Sequence, residues 1–114
     1  MPHIVCHYSV TPDMPPMRDV MRAIHEAAAA TGVVKADDLK IRALPFADYL
    51  VAGREQSFFH VSFYLLAGRT PEQKETLSIG LRAALADVLP KVQSISIDIR
   101  DMDPQAYKKR LLDT

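Results

Sequence analysis

Residues 58–77 read FFHVSFYLLAGRTPEQKETL. Phe58 to about Leu66 is aromatic, β-branched and apolar, which predicts a strand. Thr70-Pro71-Glu72-Gln73 then sets an N-cap threonine, a proline at the first helical position and a glutamine at the third. That is capping-box order, so the strand hands over to a helix here. Leu77, Leu81, Ala84, Leu85 and Val88 recur at helical spacing, and Pro90 stops the helix near Leu89. Arg69 stands at the junction, an electrostatically poor place for a cation at a helix entry.

The same order appears upstream. A strand covers about 2–10, with Ile4, Cys6 and Tyr8 facing one way and His3, Val5, His7 and Ser9 the other. Asp13-Met14-Pro15-Pro16 reads as a helix start, with Asp13 as the capping candidate. Met17, Val20, Met21, Ile24, Ala27 and Ala28 form the stripe, and Gly32 is a left-handed cap. A strand follows at about 39–44, with Leu39, Ile41 and Ala43 on one side and Lys40 and Arg42 on the other. Residues 45–57 are turn-rich, with a short edge hairpin around 49–51. A last strand from Ser94 to Arg100 alternates Ile95, Ile97 and Ile99 against Ser96, Asp98 and Arg100. Asp103-Pro104 is expected to start a short helix carrying Tyr107 and Leu111.

The order is thus strand, helix, strand, twice. Thr11-Pro12 and Thr70-Pro71 mark equivalent handovers. The prediction is one α/β (α+β) domain: pseudo-repeats at 1–45 and 58–101, a four-stranded sheet with two helices on one face, and a C-terminal helix at 104–112. The other face collects His3, His7, Lys40, Arg42, His60, Ser62, Tyr64, Ser96, Asp98 and Arg100. A chain of this size covers only one face by itself, so burial against other subunits competes with a solvated face.

Composition narrows the function classes. The 114 residues carry 14 Lys and Arg and 14 Asp and Glu, a formal net charge of zero. Neither nucleic acid nor an anionic membrane is the expected partner. The single Cys6 excludes an internal disulfide and suits a reducing compartment. No apolar run approaches a membrane span and no signal peptide is evident, so the expected location is cytoplasmic. A metal between His3, His7 and Cys6 is disfavoured because Cys6 points to the opposite face. Lys108-Lys109-Arg110 reads as cations complementing the end of the last helix.

Pro2 follows Met1 directly. Removal of Met1 leaves a secondary amine, and an α-amine has an unperturbed pKa of about 7.7–8.0. It then serves as a base or nucleophile near neutral pH.

Several segments together carry a resemblance: Met1-Pro2-His3, Ala30-Thr31-Gly32, Lys40-Ile41-Arg42, Phe59-His60-Val61 and Gly68-Arg69-Thr70. The run from Gly68 to Leu77 is similar to the strand-to-helix segment of 4-oxalocrotonate tautomerase. The whole chain resembles the duplicated 5-carboxymethyl-2-hydroxymuconate Δ-isomerase family of the tautomerase superfamily. The resemblance implies a tautomerase/MIF-like homotrimer with no cofactor and no metal. It implies Pro2 as the catalytic base and acid, and a small carboxylate substrate bearing a dienol, from aromatic (homoprotocatechuate) catabolism. It also implies Arg69 as a substrate-binding residue. The family's second binding arginine falls on Lys40, which lacks the planar fork, with Arg42 next on the same face. His60 completes the candidate substrate-binding set. Two other readings stay open: the same chemistry on a different enol or unsaturated acid, and a non-catalytic trimeric small-molecule-binding protein.

Overall fold

The computed structural model describes residues 1–112. In chain order it contains β1 (His3–Ser9), α1 (Met17–Ala30), a 3-10 turn (Ala36–Asp38), β2 (Lys40–Phe46), β3 (Phe58–Leu66), α2 (Pro71–Val88) and β4 (Ser94–Met102). The four strands form one sheet in the order β2-β1-β3-β4. β1 runs parallel to β2, β3 runs parallel to β4, and the central β1–β3 pair is antiparallel. This is the expected duplicated β-α-β architecture.

Both halves begin with the same hydrogen bond. The Lys40 N–H donates to the Pro2 carbonyl at 3.2 Å, and the Ser94 N–H donates to the Ser57 carbonyl at 3.1 Å. Because the central strands are antiparallel, Pro2 and Ser57 lie at opposite ends of the sheet.

The core follows from the alternation. Ile4 and Cys6 of β1 and Phe59, Val61, Phe63 and Leu65 of β3 are fully buried. They meet Val20, Ile24 and Ala28 of α1 and Leu77, Leu81 and Leu85 of α2, which repeat every four residues along one face of each helix. Burying each of these large side chains contributes roughly 1.5–3 kcal/mol. Cys6 lies in this apolar layer, and burial pushes its thiol up to about 12.

The opposite sheet face carries three cross-strand rows, each written from β2 to β4: Lys40-His3-Tyr64-Arg100, Arg42-Val5-Ser62-Asp98 and Leu44-His7-His60-Ser96. Among the described residues no helix or strand packs over it as a layer. At its far end Phe46, Tyr49, Phe58 and His7 gather, His7 edge to face on Phe46 and Tyr49 edge to face on Phe58, with Phe46 and Phe58 tilted to one another. Ser9 is buried beside them: its Oγ accepts from the Phe58 N–H at 3.0 Å and donates to the Phe58 carbonyl.

Three local expectations are corrected. First, α1 starts at Met17 with Pro16 as its N-cap, not at Asp13. A residue before proline is pushed out of the helical region, and Met14 and Pro15 both precede one. Second, β2 continues through Pro45 to Phe46 instead of ending near 44. As an edge strand it tolerates the missing N–H. Third, no helix forms over 104–112. The chain makes one turn there, in which the Tyr107 N–H donates to the Asp103 carbonyl and the Gln105 N–H to Asp103 Oδ1. Beyond it Leu111 and Leu112 are exposed. A helix this short is stabilised mainly by a packed apolar face, and this segment has none.

Candidate active site at the start of the first strand

Pro2 is buried where β1 enters the sheet. Its carbonyl is tied to β2 through Lys40, so Lys40 is held beside it by the backbone. Register brings in the third element. His3 pairs with Tyr64, so the start of β1 meets the end of β3, where Leu66 leads into Gly68-Arg69-Thr70.

Arg69 is positioned by local chemistry. Gly68 has φ +134°, a backbone conformation that disfavours side chains, and it turns the chain out of β3. The next residue but one, Thr70, caps α2: its Oγ1 accepts from the Gln73 N–H at 3.1 Å, and its own N–H donates to Gln73 Oε1 at 2.9 Å. Between these fixed points the Arg69 guanidinium donates to the Val33 carbonyl at 3.3 Å and the Leu66 carbonyl at 3.5 Å. It thereby bridges β3 and the loop after α1.

These groups act on the N-terminal amine. Burial lowers the pKa of the Met1 amine, and the positive charges of Lys109, Arg69 and Lys40 lower it further, opposed by Asp38. An amine set low among cations is a competent base near neutral pH, and the same cations attract carboxylates.

His3 flanks the site on the open face. Arg42 Nη1 donates to His3 Nδ1 at 3.1 Å, and His3 Nε2 lies 3.0 Å from the Tyr107 hydroxyl. Since arginine only donates, Nδ1 is the acceptor, so the proton of the neutral ring sits on Nε2 and is donated to Tyr107. Burial lowers the His3 pKa, and the charges of Arg42, Lys40 and the N-terminus lower it further. The neutral tautomer is the one this arrangement favours.

The structure therefore gathers Pro2, Lys40 and Arg69, with Arg42 one step away through His3. His60 stands apart. It pairs with His7, four residues along β1 from His3, or roughly 13 Å at strand rise. Its Nδ1 lies 2.6 Å from Ser96 Oγ. The sequence reading missed Tyr107, Lys109 and Asp38. The three consecutive cations of 108–110 were the available signal, and the expected helix explained them away. A separate cavity of about 220 Å³, lined by Thr11, Asp13, Met14, Ser57, Leu89 and Lys91 among others, lies at the Ser57 end of the sheet. It lies at the opposite end of the sheet from Pro2.

A family model described as 5-carboxymethyl-2-hydroxymuconate isomerase matches residues 2–112. The chain belongs to this family. The 5-carboxymethyl-2-hydroxymuconate isomerase match starts at Pro2 and so includes every residue of the candidate site. No curated protein matches by sequence. Solved structures agree in fold. A 5-carboxymethyl-2-hydroxymuconate isomerase from Deinococcus radiodurans R1 superposes with a TM-score of 0.83 at 20% identity, covering 96% of this chain and 88% of the other. A 5-carboxymethyl-2-hydroxymuconate delta-isomerase gives 0.74 at 22%, covering 97% and 88%. A fused 4-OT solved as a symmetric trimer gives 0.70 at 22%, covering 89% and 85%. At these identities the structural likenesses establish the tautomerase-superfamily fold alone.

Proposed function

We propose that this protein is a cofactor-independent isomerase that moves a proton within an unsaturated dienol carboxylate, with 5-carboxymethyl-2-hydroxymuconate as the substrate. The observation that carries the reading is the N-terminus itself: an amine of lowered pKa, set among Arg69, Lys40 and Lys109 at a buried Pro2.

Removal of Met1 places the free amine on Pro2. The proline ring holds that nitrogen in one orientation. As free base it takes the proton from the dienol hydroxyl, and as conjugate acid it returns a proton to the distal carbon. One group that gains and loses its proton near the working pH serves both steps. Negative charge develops on the substrate oxygen as the proton leaves. Arg69, already presented by Gly68 and Thr70, stabilises that charge, and a well-placed donor contributes about 3–4 kcal/mol. Lys40 holds a remote carboxylate and fixes orientation. Arg42 contributes through His3.

The polar open face of the sheet supports a homotrimer in which subunits pack face against face. A fused 4-OT of the same fold forms a symmetric trimer. Sedimentation at micromolar concentration tests this, and a monomer would overturn it.

The deciding assay is an ultraviolet progress curve with 5-carboxymethyl-2-hydroxymuconate and Met1-free enzyme. Decay of the dienol band well above buffer catalysis is expected. No acceleration would move the reading to another enol substrate or to a binding protein.

A further inference from the structure

The duplication gives the sheet two equivalent ends, and only one of them holds Pro2. At that end the Lys40 N–H donates to Pro2; at the other the Ser94 N–H donates to Ser57. Each end is closed by two further segments. One leads from a central strand into a helix, and the other leaves the second helix. At the Pro2 end these are residues 68–70 and the loop after Ala30. At the Ser57 end they are residues 10–16 and the loop after Val88.

The two ends differ in what crosses between those segments. Arg69 immediately precedes Thr70, the N-cap of α2, and Pro15 immediately precedes Pro16, the N-cap of α1. The Arg69 guanidinium reaches across to the Val33 carbonyl at 3.3 Å. A proline side chain can make no such bridge. At the Ser57 end the corresponding segments instead enclose the cavity of about 220 Å³.

The lining of this cavity sets its chemistry. Met14, Pro15, Val88, Leu89 and Val92 supply an apolar wall. Asp13 and Lys91 supply one charge of each sign, so the cavity carries no net formal charge. Ser57 Oγ accepts from the Gln93 N–H at 2.9 Å, which fixes the oxygen, and its O–H has no acceptor among the described residues. The hydroxyl of Thr11 also lines the space. An apolar cavity of about 150 Å³ is enough to take benzene. The present one therefore takes a six-membered ring with a polar substituent.

We propose that this cavity is a second, non-catalytic ligand site, which takes an uncharged, ring-sized molecule whose hydroxyl or carbonyl oxygen accepts a hydrogen bond from Ser57. Ser57 lies within the chain, so its nitrogen is an amide and the site cannot repeat chemistry that needs a free amine. The balanced charge of Asp13 and Lys91 gives an anion no net attraction, and the apolar wall makes desolvating it costly. The Pro2 end, with Arg69 and Lys40, has the opposite preference.

The test titrates cyclohexanol and cyclohexanecarboxylate, which share a ring and differ in charge, into the nitrogen-15-labelled full chain. Backbone amide NMR shifts report the place and affinity of binding. Cyclohexanol is expected to give saturable shifts at Thr11, Ser57 and Val92, and cyclohexanecarboxylate to bind there at least about tenfold more weakly, the scale of an uncompensated charge against an apolar wall. Ser57→Ala should weaken cyclohexanol about fivefold, as for loss of one hydrogen bond, and Ser57→Thr should retain the affinity. Absence of saturable cyclohexanol shifts at this end up to its solubility limit would overturn the proposal. So would equal binding of the carboxylate there, or an unchanged affinity in Ser57→Ala. If Ser57→Ala does not fold, the contrast between the two ligands on the wild type decides alone. A flat dienol assay would leave this result untouched, because the shifts are read at the end of the sheet remote from Pro2.

Discussion

The backbone N–H of Lys40 donates to the carbonyl of Pro2 at 3.2 Å, so the strand carrying Lys40 is locked to the start of β1 at Pro2. Protein retaining Met1 has Pro2 as a tertiary amide and is expected to show no turnover. Pro2→Ala, with Met1 removed, keeps an amine but loses the fixed ring. Its kcat should fall about 10²- to 10⁴-fold, the range for a positioned general base. Intact mass together with initial rates checks both. Unchanged turnover in Pro2→Ala would remove Pro2 from the mechanism.

Burial and the cations Lys109, Arg69 and Lys40 hold the Met1 amine below its ordinary 8.0, and the same surroundings are expected to act on the Pro2 amine once Met1 is removed. As the base acts unprotonated, kcat/KM should rise with pH through a midpoint below 8.0. A rate that falls over that window would assign the essential group to an acid instead.

Arg69 is held by carbonyls of β3 and the α1–β2 loop. Arg69→Ala should lower kcat about 10²- to 10³-fold, as for loss of one charge-stabilising donor. Its presentation is separately testable. Gly68→Ala forces a side chain onto φ +134° and should cost about 1–3 kcal/mol, although nothing lies within 4 Å of the added methyl. Thr70→Ala removes one half of the capping box and should cost about 1 kcal/mol. Denaturant midpoints measure both costs. Activity losses beyond the unfolded fraction would show that Arg69 has moved.

His3 is folded as a neutral ring with a pKa below 6.5. The unfolded chain therefore binds this proton more readily, and stability rises with pH across that window. The contribution is present above about 6.5 and is lost as pH falls through the lowered folded value. Melting temperature should drop on acidification below 6.5, with tail proteolysis rising in parallel. His3→Gln should flatten this dependence.

The Cys6 thiol, fully buried and pushed up to about 12, should resist thiol reagents at pH 8 in the native state and react completely in guanidinium. Fast native labelling would mean that β1 opens from the core.

The sequence by itself determined the elements whose signals are local. The alternation of Ile4 and Cys6, the four-residue spacing of Leu77, Leu81 and Leu85, and the Thr70–Gln73 box involve neighbours within a few positions. Those interactions survive into the fold. The same patterns, occurring twice, made the duplication legible, and Pro2 with Arg69 stood out by residue type. What only the tertiary structure decided depends on contacts between distant residues. Tyr107 meets His3 across 104 positions, and that contact, with no face to pack a helix upon, draws the tail over the site instead of into a helix. The antiparallel pairing of β1 with β3 places His60 with His7, remote from Pro2, and brings Arg69 to it. Strand order and register set which charges share one end of the sheet, and no periodicity within a single strand encodes its partner.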